Sequence, residues 1–136
     1  MVSTRPPVLG IRHVALVVAD LTAAERFWVD VLGYEVEWRP DPDNVYLRGG
    51  TDNLALHRGA ARPFVGAAPD DHRQLDHIGL AVPAPGDVDA WAAHLRAHGV
   101  ALKAEPRTHR DGSRSLYFHG PEALLIQIIH HPPLVA

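Results

Sequence analysis

The hydrophobic pattern changes period several times along the chain, and each change marks an element. Ile11–Val18 reads Ile-Arg-His-Val-Ala-Leu-Val-Val, a β-branched run that suits a strand buried on both faces. In the next segment Ala24, Phe27, Trp28, Val31 and Leu32 fall on one helical face. Thr22 to Glu25 has the form of a capping box, and Gly33 stands where a left-handed cap closes a helix. A helix over about 23–32 is predicted. Strand-like runs at 34–38, 45–48 and 54–57 follow, separated by Pro40–Asn44 and Gly49–Asn53, so the first half reads βαβββ.

From Gly59 to about Gln74 the sequence is rich in Gly, Ala, Pro and Asp without periodicity, as a linker is. The pattern then restarts. Leu75–Val82 mirrors Ile11–Val18 and aligns His77 with His13 at an offset of 77 − 13 = 64. Asp87 is the expected cap of a second helix carrying Val88, Trp91, Ala92 and Leu95 on one face, with Gly99 in the place of Gly33. Runs at 100–103, 115–119 and 124–129 complete a second βαβββ module. The expected architecture is α+β: one domain over 1–136, with module one at about 9–58, a linker at 59–74 and module two at 75–132. The two modules would form a curved mixed sheet around a cleft, since each alone leaves one sheet face bare.

Strand alternation assigns the faces. His13, Ala15 and Val17 share one face, as do His77, Gly79 and Ala81, while the bulkier Val14, Leu16, Val18, Ile78, Leu80 and Val82 take the face expected to lie under a helix. In the last strand of each module His57 lies with Ala55 and Asn53, and Gln127 with Leu125 and Ile129. Four metal-competent side chains, His13, His57, His77 and Gln127, thus read as two equivalent positions in two repeats. Imidazole nitrogen and amide oxygen suit one divalent ion of the Zn, Ni, Co, Mn or Fe(II) kind, whereas Mg or Ca calls for more oxygens.

Composition narrows the chemistry. The chain has no cysteine, so thiolate sites and thiol nucleophiles are excluded. A net charge of −3 gives no footprint for nucleic acid, which leaves a small molecule as the expected partner. No apolar run is long enough to span a bilayer and the amino terminus is polar and proline-rich, so no membrane association and a cytoplasmic location are expected. Nucleotide-binding and serine-hydrolase signatures are absent.

The two-module pattern, with a histidine near the start of each module and the closing segment Tyr117-Phe-His-Gly-Pro-Glu-Ala-Leu-Leu-Ile-Gln127, resembles the vicinal oxygen chelate superfamily over about residues 9–132. That superfamily includes glyoxalase I, methylmalonyl-CoA epimerase, extradiol dioxygenases and the fosfomycin- and bleomycin-resistance proteins. Its members commonly close with Phe, an Asp-Pro-(Asp/Glu)-Gly-Asn turn and a metal-binding glutamate. Phe118, Pro121 and Glu122 match, whereas Gly120, Ala123 and Leu124 depart from the turn and Gln127 replaces the glutamate.

The resemblance implies a metal-dependent, glyoxalase-like lyase or isomerase working as a homodimer on a substrate that chelates through oxygens. Its alternatives are an Fe(II) extradiol-type dioxygenase and a non-catalytic drug- or metabolite-binding module. Because glutamine cannot accept a proton, His57 or a metal-bound hydroxide is the candidate catalytic base. Tyr46, Arg48 and Arg114 are the candidate substrate contacts, with Trp38 as an aromatic wall. Arg107, His109, Arg110 and Arg114 cluster before Ser115, where a solvated loop is the simpler reading and an anion clamp the functional one.

Overall fold

A computed structural model describes residues 5–7, 9–60 and 75–132. The chain divides into two compact units, Met1–Ala61 and Arg62–Ala136, one for each repeat. The linker expectation at 61–74 lies outside the described residues.

Module one runs β1 (His13–Val18), α1 (Leu21–Arg26), β2 (Glu35–Asp41), β3 (Asn44–Arg48) and β4 (Asn53–Arg58). Its sheet has the order β1-β4-β3-β2, with β1 parallel to β4 and the remaining pairs antiparallel. The first strand starts at His13, later than its apolar run implied, and Leu9 and Ile11 are exposed. It is also one-sided: Leu16 and Val18 are buried while His13, Ala15 and Val17 are exposed. The bulky face joins Leu21, Ala24, Trp28, Val45, Leu47, Leu54 and Leu56 in the core.

The helix begins earlier than the Thr22–Glu25 pattern suggested, because Asp20 is the cap and its carboxylate accepts from the Ala23 N–H at 3.0 Å. After Arg26 the helix widens into a π turn over Phe27–Val31, with Leu32 N–H donating to Phe27 C=O at 3.2 Å. Buried Trp28 meets Tyr34 edge-on, ring centroids 5.0 Å apart. Gly33, at φ +79, reverses the chain as expected.

Tyr34 then ties the helix exit to the β3–β4 turn: its hydroxyl donates to Asp52 at 2.5 Å, and Gly49 and Gly50 N–H groups donate to the other oxygen of that carboxylate. Burial, then the bond to Asp52 and its negative charge, push the Tyr34 pKa well above its ordinary value. Burial would raise the Asp52 carboxyl, but the bonds from Tyr34, Gly49 and Gly50 outweigh it and hold the carboxyl below its usual value. A Cβ on Gly49 would lie 2.5 Å from the Tyr34 ring, which explains the glycine there.

Module two repeats the plan with β5 (Ile78–Ala81), α2 (Pro85–Ala97), β6 (Leu102–Thr108), β7 (Arg114–His119) and β8 (Leu125–His130) in the order β5-β8-β7-β6. Asp87 is not the cap residue of α2 but sits in its first turn and reaches back to accept from the Ala84 N–H at 2.9 Å. Val88, Ala92 and Leu95 bury against Leu116, Phe118, Ile126 and Ile128.

Even the irregularities recur. Pairing of β2 with β3 shifts on either side of Trp38, between Val36 and Asp41, and pairing of β6 with β7 shifts on either side of Ala104, between Leu102 and Arg107. One difference is the turn into β8, where Glu122 and Ala123 hold φ of 57° and 66°, a conformation that favours glycine. Ala123 is the position where the resembled turn carries that glycine.

Candidate functional site

On the helix-free face of module one, β1 and β4 pair His13 with Asn53, Ala15 with Ala55 and Val17 with His57. In module two β5 and β8 pair Gly79 with Gln127 and Ala81 with Ile129. His13 and His77 therefore occupy the same place in their modules, but His57 and Gln127 do not. Gln127 corresponds to Ala55, and His57 corresponds to Ile129, one pleat farther along. The equivalence expected of His57 and Gln127 is corrected by this register. Sequence spacing could not detect the slip, because alternation places residues two apart on the same face.

Each of the three histidines has its Nδ1 committed. His13 Nδ1 lies 2.6 Å from Asn53 Oδ1, and His77 Nδ1 lies 2.6 Å from an Asp76 carboxylate oxygen. His57 Nδ1 lies 2.6 Å from Asn44 Oδ1, and the Asn44 amide NH2 donates to both Asp41 carboxylate oxygens at 2.9 and 3.0 Å. Since each partner is an oxygen acceptor, the neutral form of each ring is the Nδ1–H tautomer, with its lone pair on Nε2. The same bonds from Asn44, followed by the Asp43 N–H, hold the Asp41 carboxyl below its usual pKa and so keep the Asp41–Asn44–His57 chain polarised.

Gln127 is 8% exposed. Its amide NH2 donates to the Tyr117 hydroxyl at 2.9 Å, which leaves the carbonyl oxygen as the free end. That oxygen lies beside Gly79, where an added Cβ would be 3.2 Å away, so a glycine opposite the glutamine keeps space for it. The Tyr117 ring in turn meets His77 edge-on at 5.2 Å. Asn44, Asn53, Asp76, Gly79 and Tyr117 were not singled out from sequence as site residues. The signal for the two asparagines was present, since each lies across from or beside a histidine on the same face.

Among the substrate-contact candidates, Tyr46 stacks on Trp38 at 5.1 Å and meets the His57 ring edge-on at 6.0 Å. Trp38, 59% exposed, is thus an outer aromatic wall on the histidine-bearing face. Arg48 is on the same face of β3 as Tyr46 and lies 3.7 Å from Glu35.

Arg114 belongs elsewhere. It alternates with Leu116 and Phe118 on the helix side of β7, and its guanidinium makes two bonds to Asp89 of α2, at 2.9 and 2.7 Å. Those bonds hold the Asp89 carboxyl below its usual pKa and raise Arg114. Arg114 is a strut between sheet and helix, and the substrate-contact reading of it is withdrawn.

The arginine-rich segment is also less of a loop than its composition implied, because β6 continues to Thr108 and pairs Arg107 with Ser115. Within module two an open cavity of about 690 Å³ is lined by Arg107, Arg110, Tyr117, Gln127 and Ile129, among others.

No group of three or more His, Asp or Glu side chains positioned to share an ion occurs among the described residues. The donors present nevertheless fit a nitrogen- and oxygen-binding divalent metal: imidazole Nε2 atoms, each backed by an oxygen on Nδ1, and the amide oxygen of Gln127. Metal-bound histidines characteristically have such a partner on the second ring nitrogen.

The chain matches the model of the Glyoxalase/Bleomycin resistance protein/Dioxygenase superfamily over residues 10–128. It belongs to that superfamily. Among the superfamily's proteins, the chain is 30% identical to 2-epi-5-epi-valiolone epimerase from an Actinomyces species, across 93% of this chain and 82% of the relative. It is 25% identical to the manganese-dependent 2,3-dihydroxybiphenyl 1,2-dioxygenase of Geobacillus genomosp. 3, spanning 87% of this chain but only 35% of that enzyme. The lactoylglutathione lyase structure from Agrobacterium tumefaciens superposes with a TM-score of 0.70 at 23% identity, covering 92% and 96% of the two chains, and so shares the fold of this vicinal oxygen chelate protein. No helix among the described residues is long and apolar enough to cross a membrane.

Proposed function

We propose that this protein is a divalent-metal-dependent isomerase or lyase whose ion is held by His13, His77 and Gln127. The small substrate would chelate that ion through oxygens, and His57 would be the proton-carrying group. The observation that carries the reading is the commitment of every candidate histidine's Nδ1 to an oxygen acceptor, which presents Nε2 as a lone pair. When bound, the ion supplies Lewis acidity towards neighbouring oxygens of the substrate.

The residues then divide by register. His13 and His77, at matching positions, are the nitrogen donors. Gln127 is the oxygen donor, and Ala55, its register counterpart in module one, offers none. His57, whose register counterpart in module two is Ile129, keeps only the role of base. Its Nε2 accepts a proton from a substrate carbon and returns it, while the Asp41–Asn44 chain on Nδ1 fixes the tautomer that makes this possible. Tyr46 and Trp38 wall the substrate beside it. Kinship with an epimerase favours proton removal and return over bond cleavage.

A second reading, an extradiol-type dioxygenase, is favoured by the dioxygenase relative, while Gln127 stands where the facial triad of non-haem iron oxygenases carries a carboxylate. Binding without chemistry is the third. Elemental analysis of purified protein, alongside a His13→Ala/His77→Ala double variant, separates the third from the others. About one equivalent of metal in the parent and none in the variant supports the proposal, and less than about a tenth of an equivalent after reconstitution overturns it. Oxygen uptake with a catechol panel favours the dioxygenase. Solvent deuterium incorporation into 2-epi-5-epi-valiolone, the compound named for the epimerase relative, abolished in His57→Ala, supports the isomerase. Homodimerisation belongs to the proposal as well and is read by sedimentation.

A further inference from the structure

We infer that the module-two cavity is an anion subsite, in which Arg107 and Arg110 bind a carboxylate or phosphate borne by a small molecule whose other end reaches Gln127. The cavity brings together two kinds of group. Its lining includes Gln127 and Tyr117, with the amide nitrogen of Gln127 satisfied by Tyr117 and its oxygen free. The same lining includes Arg107 and Arg110 with His109 and His131. About 690 Å³ is the size of a small-metabolite pocket.

The charge is available for a ligand. Arg39, Arg58, Arg96 and Arg114 are each paired with a carboxylate, whereas among the described residues Arg107 and Arg110 have no such partner. The one acid in the lining, Asp111, is already engaged: it accepts from Ser113 N–H at 2.9 Å and Ser113 Oγ–H at 2.7 Å, with His131 3.9 Å away. Two guanidiniums against one internally bonded carboxylate leave a site with an excess of donors, and guanidinium forks match the paired oxygens of carboxylate and phosphate.

The fold explains the location. Arg107 occupies the register position that Asp41 holds in module one, on the far side of the same repeated shift in pairing. Ile129 occupies the position of His57. Where module one carries the acid–amide–histidine chain, module two carries an apolar residue and a cation.

That the anion belongs to the substrate rests on the functional proposal above; the anion site itself does not. The test is titration of inorganic phosphate and, separately, malonate into isotope-labelled protein, following backbone amides of Arg107, Tyr117 and Ile129. The parent, the Arg107→Gln/Arg110→Gln double variant and an Arg96→Gln control are compared. Saturable shifts in the parent and the control, with affinity at least about fivefold weaker in the double variant, are expected. Malonate alone acting identifies a carboxylate, phosphate alone a phosphoryl group, and both a general oxyanion site. No saturable shift with either, or equal affinity in the double variant, overturns the inference. If the double variant does not fold, the single Arg107→Gln and Arg110→Gln variants are read in the same way.

Metal content measured on the same samples separates the two claims. Arginine-dependent anion binding without metal sinks the functional proposal alone, and metal binding with no arginine-dependent anion effect sinks this inference alone.

Discussion

Module one and module two share strand order, the paired-shift irregularity between their second and third strands, and a histidine at the start of the first strand. They differ at the positions around that histidine. Module one places Ala55, Tyr46 and the Asp41–Asn44–His57 chain where module two places Gln127, Tyr117 and Arg107, Ser115 and Ile129. The duplicated backbone thus fixes where side chains project, while the chemistry is divided. One half carries a hydrogen-bonded histidine beside an aromatic pair, and the other carries an amide oxygen in the lining of a cavity with two arginines. Framework symmetry does not imply functional equivalence. A ligand set read from a repeat has to be checked pleat by pleat.

The largest expected effect breaks this comparison at its centre. His77→Ala or His13→Ala should weaken metal binding by more than about 100-fold, whereas His57→Ala should change it by less than about threefold while abolishing proton exchange. Titration with a chromophoric competitor reads both. Equal losses for all three histidines would restore His57 as a ligand and undo the division of labour.

A second contrast is structural. Only module one has a tyrosine after its helix-closing glycine, and Tyr34→Phe should cost about 1–2 kcal/mol by removing a buried bond to a carboxylate. The pH dependence follows from the shifts. Tyr34, raised on folding, stabilises fully below its ordinary 10.0 and loses that contribution as pH rises through its folded value. Asp52, lowered on folding, stabilises above its ordinary 3.8 and loses that contribution as pH falls through its folded value. Thermal unfolding across pH should therefore decline at both ends, and Tyr34→Phe should flatten the decline at the alkaline end.

In module two, Ala123→Gly should stabilise by roughly 1 kcal/mol, because a left-handed alanine is relieved. Chemical denaturation measures this. The smallest change in stability is expected for Arg114→Gln, with metal and anion binding unchanged, since its partly exposed pair with Asp89 lies on the helix side.

Much of this was legible in the amino-acid sequence. The periodicity located both helices and all eight strands, and the alignment of His77 with His13 set the duplication, because burial imposes period and period survives in one sequence. What escaped it was local geometry. Asp20 displaced Thr22 as helix cap because both side chains can cap and only backbone dihedrals decide between them. Arg114 and Arg107 look alike in a polar run, and strand alternation alone sends one to the helix and the other to the cavity. The offset between His57 and Gln127 needed the pairing register, which no spacing along the chain records.

Long-range proton–nitrogen correlation of the histidine rings during zinc titration tests the central claim most directly. Every site histidine should begin as the Nδ1–H tautomer, and the Nε2 signals of His13 and His77 should shift together at one equivalent while that of His57 stays in place. Movement of His57 in step with the other two, or no Nε2 shift at His13 and His77, would contradict it.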